Sequence, residues 1–437
     1  MFAHFSPSRP VIVVGAGPAG ATAARALALA GIPVRLLDRA AFPRNKPCGG
    51  GISARVLRRF PYLGRELSRI ATHGVSRLHL EGPDGHSTVV ESDVVAALMI
   101  RRVEFDALLV ALAVEAGAEL ITGADIAQAD EDDGRVRLTT RDGKSFEADV
   151  VIAADGVNSV VARRLGLNPG WAASSVALDM MEETPREQLR DVDPSALWVA
   201  YGYQPGPNLN SEISNLRSRR TAEGYAYIFP KRDHVNIGIG YVLSHFRDEV
   251  SLAPYDLQRG FVDSLRNRGL VAGASVRENF TPALIPIGGR LRPPTRGRVL
   301  LAGDAGGFVN AVTAEGIYYA MVSGELAARA IQDAPGVPTL ALRYSRACDD
   351  EIGAELRDSV RLQRFLFADR RRIARLIDGA HREKKVAQLM LDFVVGSCSY
   401  RDLRRRMLSR SPALLLSFMW ACLTTAALPG EHGVSRT

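Results

Sequence analysis

The segment Gly15-Ala-Gly17-Pro18-Ala19-Gly20 constrains the fold of this chain more than any other. The apolar run Val11–Val14 precedes it. An Ala/Leu-rich stretch, Ala21–Ala30, follows and closes at Gly31, and a second apolar strand, Val34–Leu37, ends on Asp38 and Arg39. Strand, glycine turn, helix and strand then follow within about 30 residues, the βαβ unit of a dinucleotide-binding domain. Gly15 permits the tight turn, Gly17 lets backbone approach a pyrophosphate, and Gly20 lets the helix pack closely on the strand. The helix N-terminus, from Pro18 and Ala19 onward, offers unpaired N–H groups to phosphates. Asp38 can accept hydrogen bonds from an adenosine ribose, and its charge disfavours a 2′-phosphate. The glycine pattern alone leaves NAD and FAD both open.

Two distant segments choose between them. Ala154-Asp155-Gly156-Val-Asn158-Ser159 follows the apolar strand Val150–Ala153, and Leu301-Ala-Gly303-Asp304-Ala-Gly306-Gly307 precedes the helical run Glu315–Ile331, which opens on Gly316 and Ile317. A flavin dinucleotide needs a second anchor, because its ribityl chain and ring extend beyond the pyrophosphate. Asp304 can bind ribityl hydroxyls. The following helix N-terminus can face the flavin C2 carbonyl and N1 and stabilise the anionic reduced ring. The order of the three segments makes noncovalent FAD the expected cofactor.

Between residues 170 and 280 short alternating stretches take over, among them Ala196–Tyr201, Tyr225–Phe229 and Val235–Tyr241. Alternation with turn residues between predicts an antiparallel sheet inserted into the α/β unit. Residues 93–120 read as mainly helical. With 46% apolar and 24% charged residues in 437, the chain is of ordinary globular composition, which excludes disordered and collagen-like classes. The four cysteines, Cys48, Cys348, Cys398 and Cys422, form no CxxC pair, and the eight histidines form no HxxxH or HExxH cluster. Neither a disulfide framework nor a metal site is expected. MFAHFSPSRP lacks the charged start and apolar core of a secretory signal, so a cytoplasmic location is expected.

The net charge of +7 has a location: from residue 340 onward there are 18 Lys and Arg against 11 Asp and Glu. A solvated helix face explains helix-spaced arginines such as Arg357, Arg361 and Arg364. Contact with an anionic membrane surface or a diphosphate is the functional alternative, peripheral on the inner membrane. Nucleic acid is not expected as a partner, because no aromatic stacking motif interleaves with the charge. The apolar run Ala413–Leu428 is shorter than the roughly 20 residues a spanning helix needs. It reads as a buried or surface-lying helix behind Arg404–Arg406 and Arg410.

The three nucleotide-binding segments resemble those of FAD enzymes that include aromatic hydroxylases and geranylgeranyl reductases. Three finer features are similar to the geranylgeranyl reductase branch: Lys46-Pro-Cys48-Gly49-Gly50-Gly51-Ile-Ser53, Gly224-Tyr225-Ala-Tyr227-Ile-Phe229-Pro230-Lys231 beside the family's YxWxFP signature, and the run from Gly303 through Asn310 to Glu315-Gly316-Ile317. Arg102-Val-Glu-Phe105-Asp106 matches the RxxFD element, whose arginine lies by the cofactor in relatives. The resemblance spans about residues 10–335. Tyr227 stands where the family usually has Trp, Ala311 where it has Pro, and Ala314 where it has Gly.

The resemblance implies an α/β fold: a Rossmann-like FAD-binding domain of glutathione-reductase type, an inserted antiparallel β-sheet substrate domain and a C-terminal helical region. On this reading residues 1–72, 93–169 and 281–335 bind FAD, residues 73–92 and 170–280 bind a prenyl lipid or prenyl diphosphate, and residues 336–437 form the basic helical region. The implied reaction saturates C=C bonds of a geranylgeranyl or other polyprenyl chain, with hydride from reduced flavin and a proton from an acid. The electron donor, NADPH or a small carrier, stays undecided. The expected cofactor contacts are Gly15, Gly17, Pro18, Ala19, Gly20, Asp38, Arg39, Cys48, Gly49, Gly50, Arg102, Asp155, Gly156, Gly303, Asp304, Gly316 and Ile317. Cys48 is the candidate proton donor or ring-positioning group, and Tyr225 and Tyr227, alternating on one strand face, are candidates to line the prenyl channel. The rival readings are an FAD monooxygenase or halogenase, a quinone-linked dehydrogenase, and a non-catalytic prenyl-binding protein. The GWxWxIP pattern expected of a halogenase is absent.

Overall fold

The computed structural model describes residues 9–203, 223–394, 396 and 405, apart from 133, 251 and 335. Val11–Val14 lies inside a six-stranded sheet, between Val34–Asp38 and Val151–Ala153, with Ile12 opposite both Arg35 and Val151. Glu119–Thr122 and Val299–Leu301 extend the parallel pairing on either side. The central strands are buried on both faces. That is why they read as unbroken apolar runs rather than as alternation. The helices Pro18–Leu29 and Ile317–Asp333 pack so closely that a Cβ on Gly324 would lie 2.1 Å from the Ala19 carbonyl oxygen. This contact brings the turn after Val299–Leu301 beside the first glycine loop.

The second large sheet has seven strands, in the order Phe280–Pro286, Val176–Pro185, His234–Val242, Gly224–Pro230, Ala196–Tyr201, Arg77–Glu81 and Ser87–Glu91. Its pairs are antiparallel except Ala196–Tyr201 with Arg77–Glu81, which run parallel. The exception arises because Arg77–Glu91 is a hairpin delivered from the nucleotide-binding half of the chain. One face, with Met180, Trp198, Ala226, Ile228, Ile237 and Ile239, packs on helix Pro254–Asn267 through Leu257, Phe261 and Leu265. The opposite face carries Asp179, Met181, Tyr225, Tyr227 and Phe229 and turns toward the nucleotide-binding half.

Residues 93–120 are less helical than their sequence suggests. The helix is Arg102–Glu115, and Ala97–Ile100 is a strand between Gly51–Ser53 and Thr72–Val75. Two flanking partners satisfy its backbone, and this tertiary pairing outweighs local helix preference. Beyond residue 336 the described chain is helical through Lys384–Val394. These helices are not a detached tail: Phe365, Phe367, Ile373 and Ile377 share a core with Leu78, Leu80, Val90 and Val199 of the large sheet. Among the described residues no helix is long and apolar enough to cross a membrane. The run Ala413–Leu428 lies outside the described residues.

Candidate functional site

Gly15 has φ +95°, and a Cβ there would lie 2.3 Å from the Ala154 carbonyl oxygen; one on Gly20 would lie 1.9 Å from the Gly15 carbonyl oxygen. Both positions are fixed as glycine by the protein's own backbone. Gly17 differs. The nearest atom to a Cβ placed on it is the Arg44 guanidinium, at 3.8 Å. The fold itself leaves space there, of the kind a phosphate fills. The helix that starts at Pro18 has no side-chain cap and no acid in its first turn, so its first N–H groups stay available for an anion.

The Asp38 carboxylate is buried and accepts from the Ala16 N–H at 2.8 Å and the Ala40 N–H at 2.9 Å, one on each oxygen. Each oxygen keeps lone-pair capacity for a ribose hydroxyl. Arg39 is exposed at the strand end. It is Arg44 that turns toward the cradle, 3.2 Å from Asp106 and 3.8 Å from Asp38. The same fully buried Asp106 takes both arms of Arg102, at 2.7 and 2.8 Å. Burial opposes the Arg102 charge, but Asp106 and the neighbouring Cys48 more than offset it and hold the guanidinium protonated. Asp106 thus holds two cations, Arg44 beside the phosphate cradle and Arg102 beside Cys48.

The second anchor lies across the close helix pair. The Gly303 N–H donates to Ser323 Oγ at 2.9 Å, and a Cβ on Gly303 would sit 3.0 Å from that of Ala19. The Asp304 carboxyl accepts no hydrogen bond from the described residues. Burial pushes its pKa up, against the pull of Lys46 and Arg102. A Cβ on Gly316 would be 3.6 Å from Asp304 Oδ1, and Ile317 begins the helix behind it. An unpaired acid in this position suits ribityl hydroxyls. Asp155 has a structural task first: one oxygen accepts from Val160 and Val161 N–H at 2.8 and 3.2 Å, while Oδ1 is buried without a partner. Gly156 beside it has open space around it. Together the open Gly17 cradle, the unpaired Asp304 and the orphaned Asp155 oxygen fit an extended dinucleotide.

Ala314, which stands where relatives usually have glycine, has φ +53°. An L-residue in this region costs about 1–2 kcal/mol. Glu315 is an ion-pair partner: it accepts from Ser53 Oγ and Arg55, each at 2.6 Å. Arg55 also reaches Glu355 at 2.8 Å and lies 3.8 Å over the Tyr318 ring.

Cys48, Gly49 and Gly50 form the floor that meets the second sheet. The Gly50 N–H donates to Cys48 Sγ at 3.3 Å, and the Asn236 amide donates to the Cys48 carbonyl at 3.1 Å. A Cβ on Gly49 would lie 2.7 Å from the Phe229 ring, so only glycine lets the aromatic strand approach. Tyr225 and Tyr227 stand on the same face, ring centroids 6.2 Å apart, with Phe229 4.5 Å beyond Tyr227 and Tyr201 5.7 Å on the other side of Tyr225. Phe367, from the C-terminal helices, continues the row 6.3 Å from Tyr201. Five aromatic rings thus form one row, packed on the core shared with the C-terminal helices. The Tyr225 hydroxyl donates to the Thr313 carbonyl at 3.3 Å. The Tyr227 hydroxyl meets both oxygens of Asp179, each at 3.2 Å.

Asp179 has no motif to announce it. Its meaning comes from register: Asp179 pairs with Gly240, and Tyr227 with Gly238, across the strand His234–Val242. A Cβ on Gly238 would fall 2.4 Å from the Tyr227 hydroxyl oxygen. Gly238 clears the path for the phenol to cross one strand and reach the acid, whereas a Cβ on Gly240 would only touch Asp179 Oδ1, at 3.5 Å. Lys46, quoted above only as part of a motif, faces both Asp179 and Asp304. It also lines a cavity of about 270 Å³ with Asn45, Arg101, Met181 and Glu183. Burial disfavours the Glu183 charge, but Lys231 at 2.9 Å and Arg101 hold its carboxyl below the usual range.

Comparison with known proteins places these features in context. A family model described as an FAD binding domain matches residues 8–236. A menaquinone reductase of Mycobacterium tuberculosis is 34% identical over 331 residues, 74% of this chain and 76% of that protein. Digeranylgeranylglycerophospholipid reductase 1 of Methanopyrus kandleri is 31% identical over 359 residues, 78% of this chain and 86% of its own. The crystal structure of a geranylgeranyl bacteriochlorophyll reductase-like protein from Thermoplasma acidophilum superposes with TM-score 0.76 at 21% identity, covering 94% of this chain and 98% of the other.

Proposed function

The chain belongs to the geranylgeranyl reductase family of FAD-dependent oxidoreductases, and from that premise we propose that it saturates C=C bonds in the polyprenyl chain of a lipid or quinone. The observation that carries this reading is the row of aromatic rings from Phe367 to Phe229, which ends on the glycine floor beside Cys48. Such a wall suits a long apolar chain with no polar handle along its length. Menaquinones and digeranylgeranylglycerophospholipids, named for the relatives above, share prenyl chains, so the chain rather than the head is the common recognition element.

Reduced FAD, when bound, supplies the hydride. The protein's residues do the rest. The first-turn N–H groups after Gly17, with Arg44 nearby, hold the pyrophosphate. Asp38 takes the adenosine ribose and Asp304 the ribityl hydroxyls. Gly49 and Gly50 leave room for an alkene beside the ring, and Tyr225, Tyr227 and Phe229 exclude water from it. Cys48 lies at the meeting point of floor and wall and positions the alkene there. An unactivated alkene is a poor hydride acceptor, so a proton must reach the second carbon with the hydride or before it.

The test is anaerobic. Protein reduced with dithionite, freed of excess, is mixed with geranylgeranyl diphosphate or a digeranylgeranylglycerophospholipid, neither of which carries a quinone that could take the electrons in place of the alkene, and flavin reoxidation is followed optically. Reoxidation by at least one of them is expected. Cys48→Ala should keep its FAD and its dithionite reduction but reoxidise well over tenfold more slowly in a single turnover. Reoxidation of Cys48→Ala at the wild-type rate would remove Cys48 from the chemistry, and no reoxidation of wild type by any prenyl compound would remove the function.

A further inference from the structure

We propose that Asp179 is the proton store of this site and that the Tyr227 hydroxyl carries its proton to the alkene. This rests on the prenyl-reductase reading above and names the acid which that reading requires.

The geometry comes first. Asp179 lies on the site face of Val176–Pro185, 7% exposed, and Tyr227 is 3% exposed. The phenol oxygen is equidistant from both carboxyl oxygens, at 3.2 Å. No arginine or lysine forms an ion pair with Asp179 among the described residues. This sets it apart from Glu183, four residues along the same strand, which is paired with Lys231 and Arg101. The strand thus presents one ionised acid and one unpaired acid to the same space. Gly238 leaves the gap through which the phenol reaches that acid, since a Cβ there would fall 2.4 Å from the Tyr227 hydroxyl oxygen. A pair serving only as sheet packing would be replaced without loss by apolar residues.

The groups around Asp179 are few. From Gly224–Pro230 come Tyr227 and Tyr225. The partner positions on His234–Val242 and Phe280–Pro286, Gly240 and Ala283, carry no titratable group. From the loop after Asp38 comes Lys46. Burial pushes the Asp179 carboxyl up to about 7, against the smaller pulls of the Tyr227 hydrogen bond and Lys46. Both tyrosines are driven well above the ordinary phenol value, by burial first and by Asp179 next. A tyrosine so placed cannot lose a proton and stay charged, but it can pass one on.

When Asp179 is protonated, its O–H donates to the Tyr227 oxygen and leaves the phenol proton free to face the alkene. The reductant is the reduced flavin of the proposed function. Two electrons arrive with the hydride and form one C–H bond, and the alkene π pair forms the second C–H bond with the Tyr227 proton. Tyr227 takes the Asp179 proton as its own O–H bond breaks. Asp179 is left as carboxylate and regains a proton from water before the next cycle. Tyr227 is the group that touches the reacting carbon, and Asp179 is a positioning residue that supplies it.

Two readouts test this. The first needs no substrate: infrared difference spectra of the oxidised holoprotein across pH. The wild-type-minus-Asp179→Asn difference should show the C=O stretch of a protonated carboxylic acid that disappears as pH rises through about 7, while any band from the buried Asp304 is common to both and cancels. The second is the single-turnover rate with whichever prenyl compound reoxidises wild type. The wild-type rate should fall as pH rises through the same midpoint. Asp179→Asn should be slowed about 10²–10⁴-fold, with a flat profile. Should Asp179→Asn fail to hold FAD, Gly238→Ala serves instead: its Cβ displaces the phenol, so the infrared band should stay while the rate falls at least tenfold. A titrating band of the same size in wild type and Asp179→Asn, or a wild-type rate and profile in Asp179→Asn or Gly238→Ala, overturns the proposal. If wild type itself reduces no prenyl compound, the proposed function fails instead, and the infrared band still reports on Asp179.

Discussion

Gly20 and Gly17 of one loop answer to different demands, and substitution separates them. Gly20 is demanded by the Gly15 carbonyl 1.9 Å from where its Cβ would be. Gly20→Ala should therefore destabilise the fold by at least about 1–3 kcal/mol, read by chemical denaturation. Gly17 is free of such contacts to 3.8 Å. Gly17→Val should fold with near-wild-type stability and yet be purified colourless, because the branched side chain fills the phosphate's place. Retained yellow colour in Gly17→Val would take the pyrophosphate away from this loop. The glycine loop and Asp38 were legible in the sequence because short-range backbone geometry dictates both. Asp179 was not. It is an acid in a strand with several acids, and only cross-strand register with Gly240 and Gly238 gives it a partner. Arg39 and Arg44 teach the same lesson. Both follow the acid that ends the second strand, and only the path of the loop brings Arg44, not Arg39, to Asp106.

At the scale of elements, strand alternation placed Tyr225 and Tyr227 on one face, since period-two geometry needs no tertiary information. The C-terminal helices were harder to read. Their arginines suggest a surface, yet Ile373, Ile377 and Ala380 of the helix Arg370–Arg382 are buried against the large sheet, and Phe367 reaches the aromatic wall. Amphipathic spacing shows that a helix has two faces, but not what each face meets. The outward face remains basic. We expect the full chain to co-sediment with anionic vesicles in preference to neutral ones at low salt, each Lys or Arg near the surface contributing about 1 kcal/mol. The preference should shrink as salt is added. Equal recovery with both vesicle types at low salt would remove electrostatic membrane contact from the account.

At the scale of the whole molecule, the site is made where two sheets meet. The parallel sheet brings its glycine loop and the Asp304 turn together. The mixed sheet lays its aromatic face on Gly49, and the Cys48 carbonyl accepts from Asn236 across the junction. Neither half alone supplies both the glycine floor and the aromatic row, so the proposed function rests on their register. The central claim is that hydride and proton are added across a prenyl double bond. Mass spectrometry of the prenyl compound after anaerobic turnover by the reduced protein tests it most directly. The account predicts a product heavier by two hydrogens for each bond saturated, with no oxygen or halogen gained. A prenyl chain recovered unchanged, or a product formed only when oxygen is admitted and carrying an added oxygen or halogen atom, would contradict it.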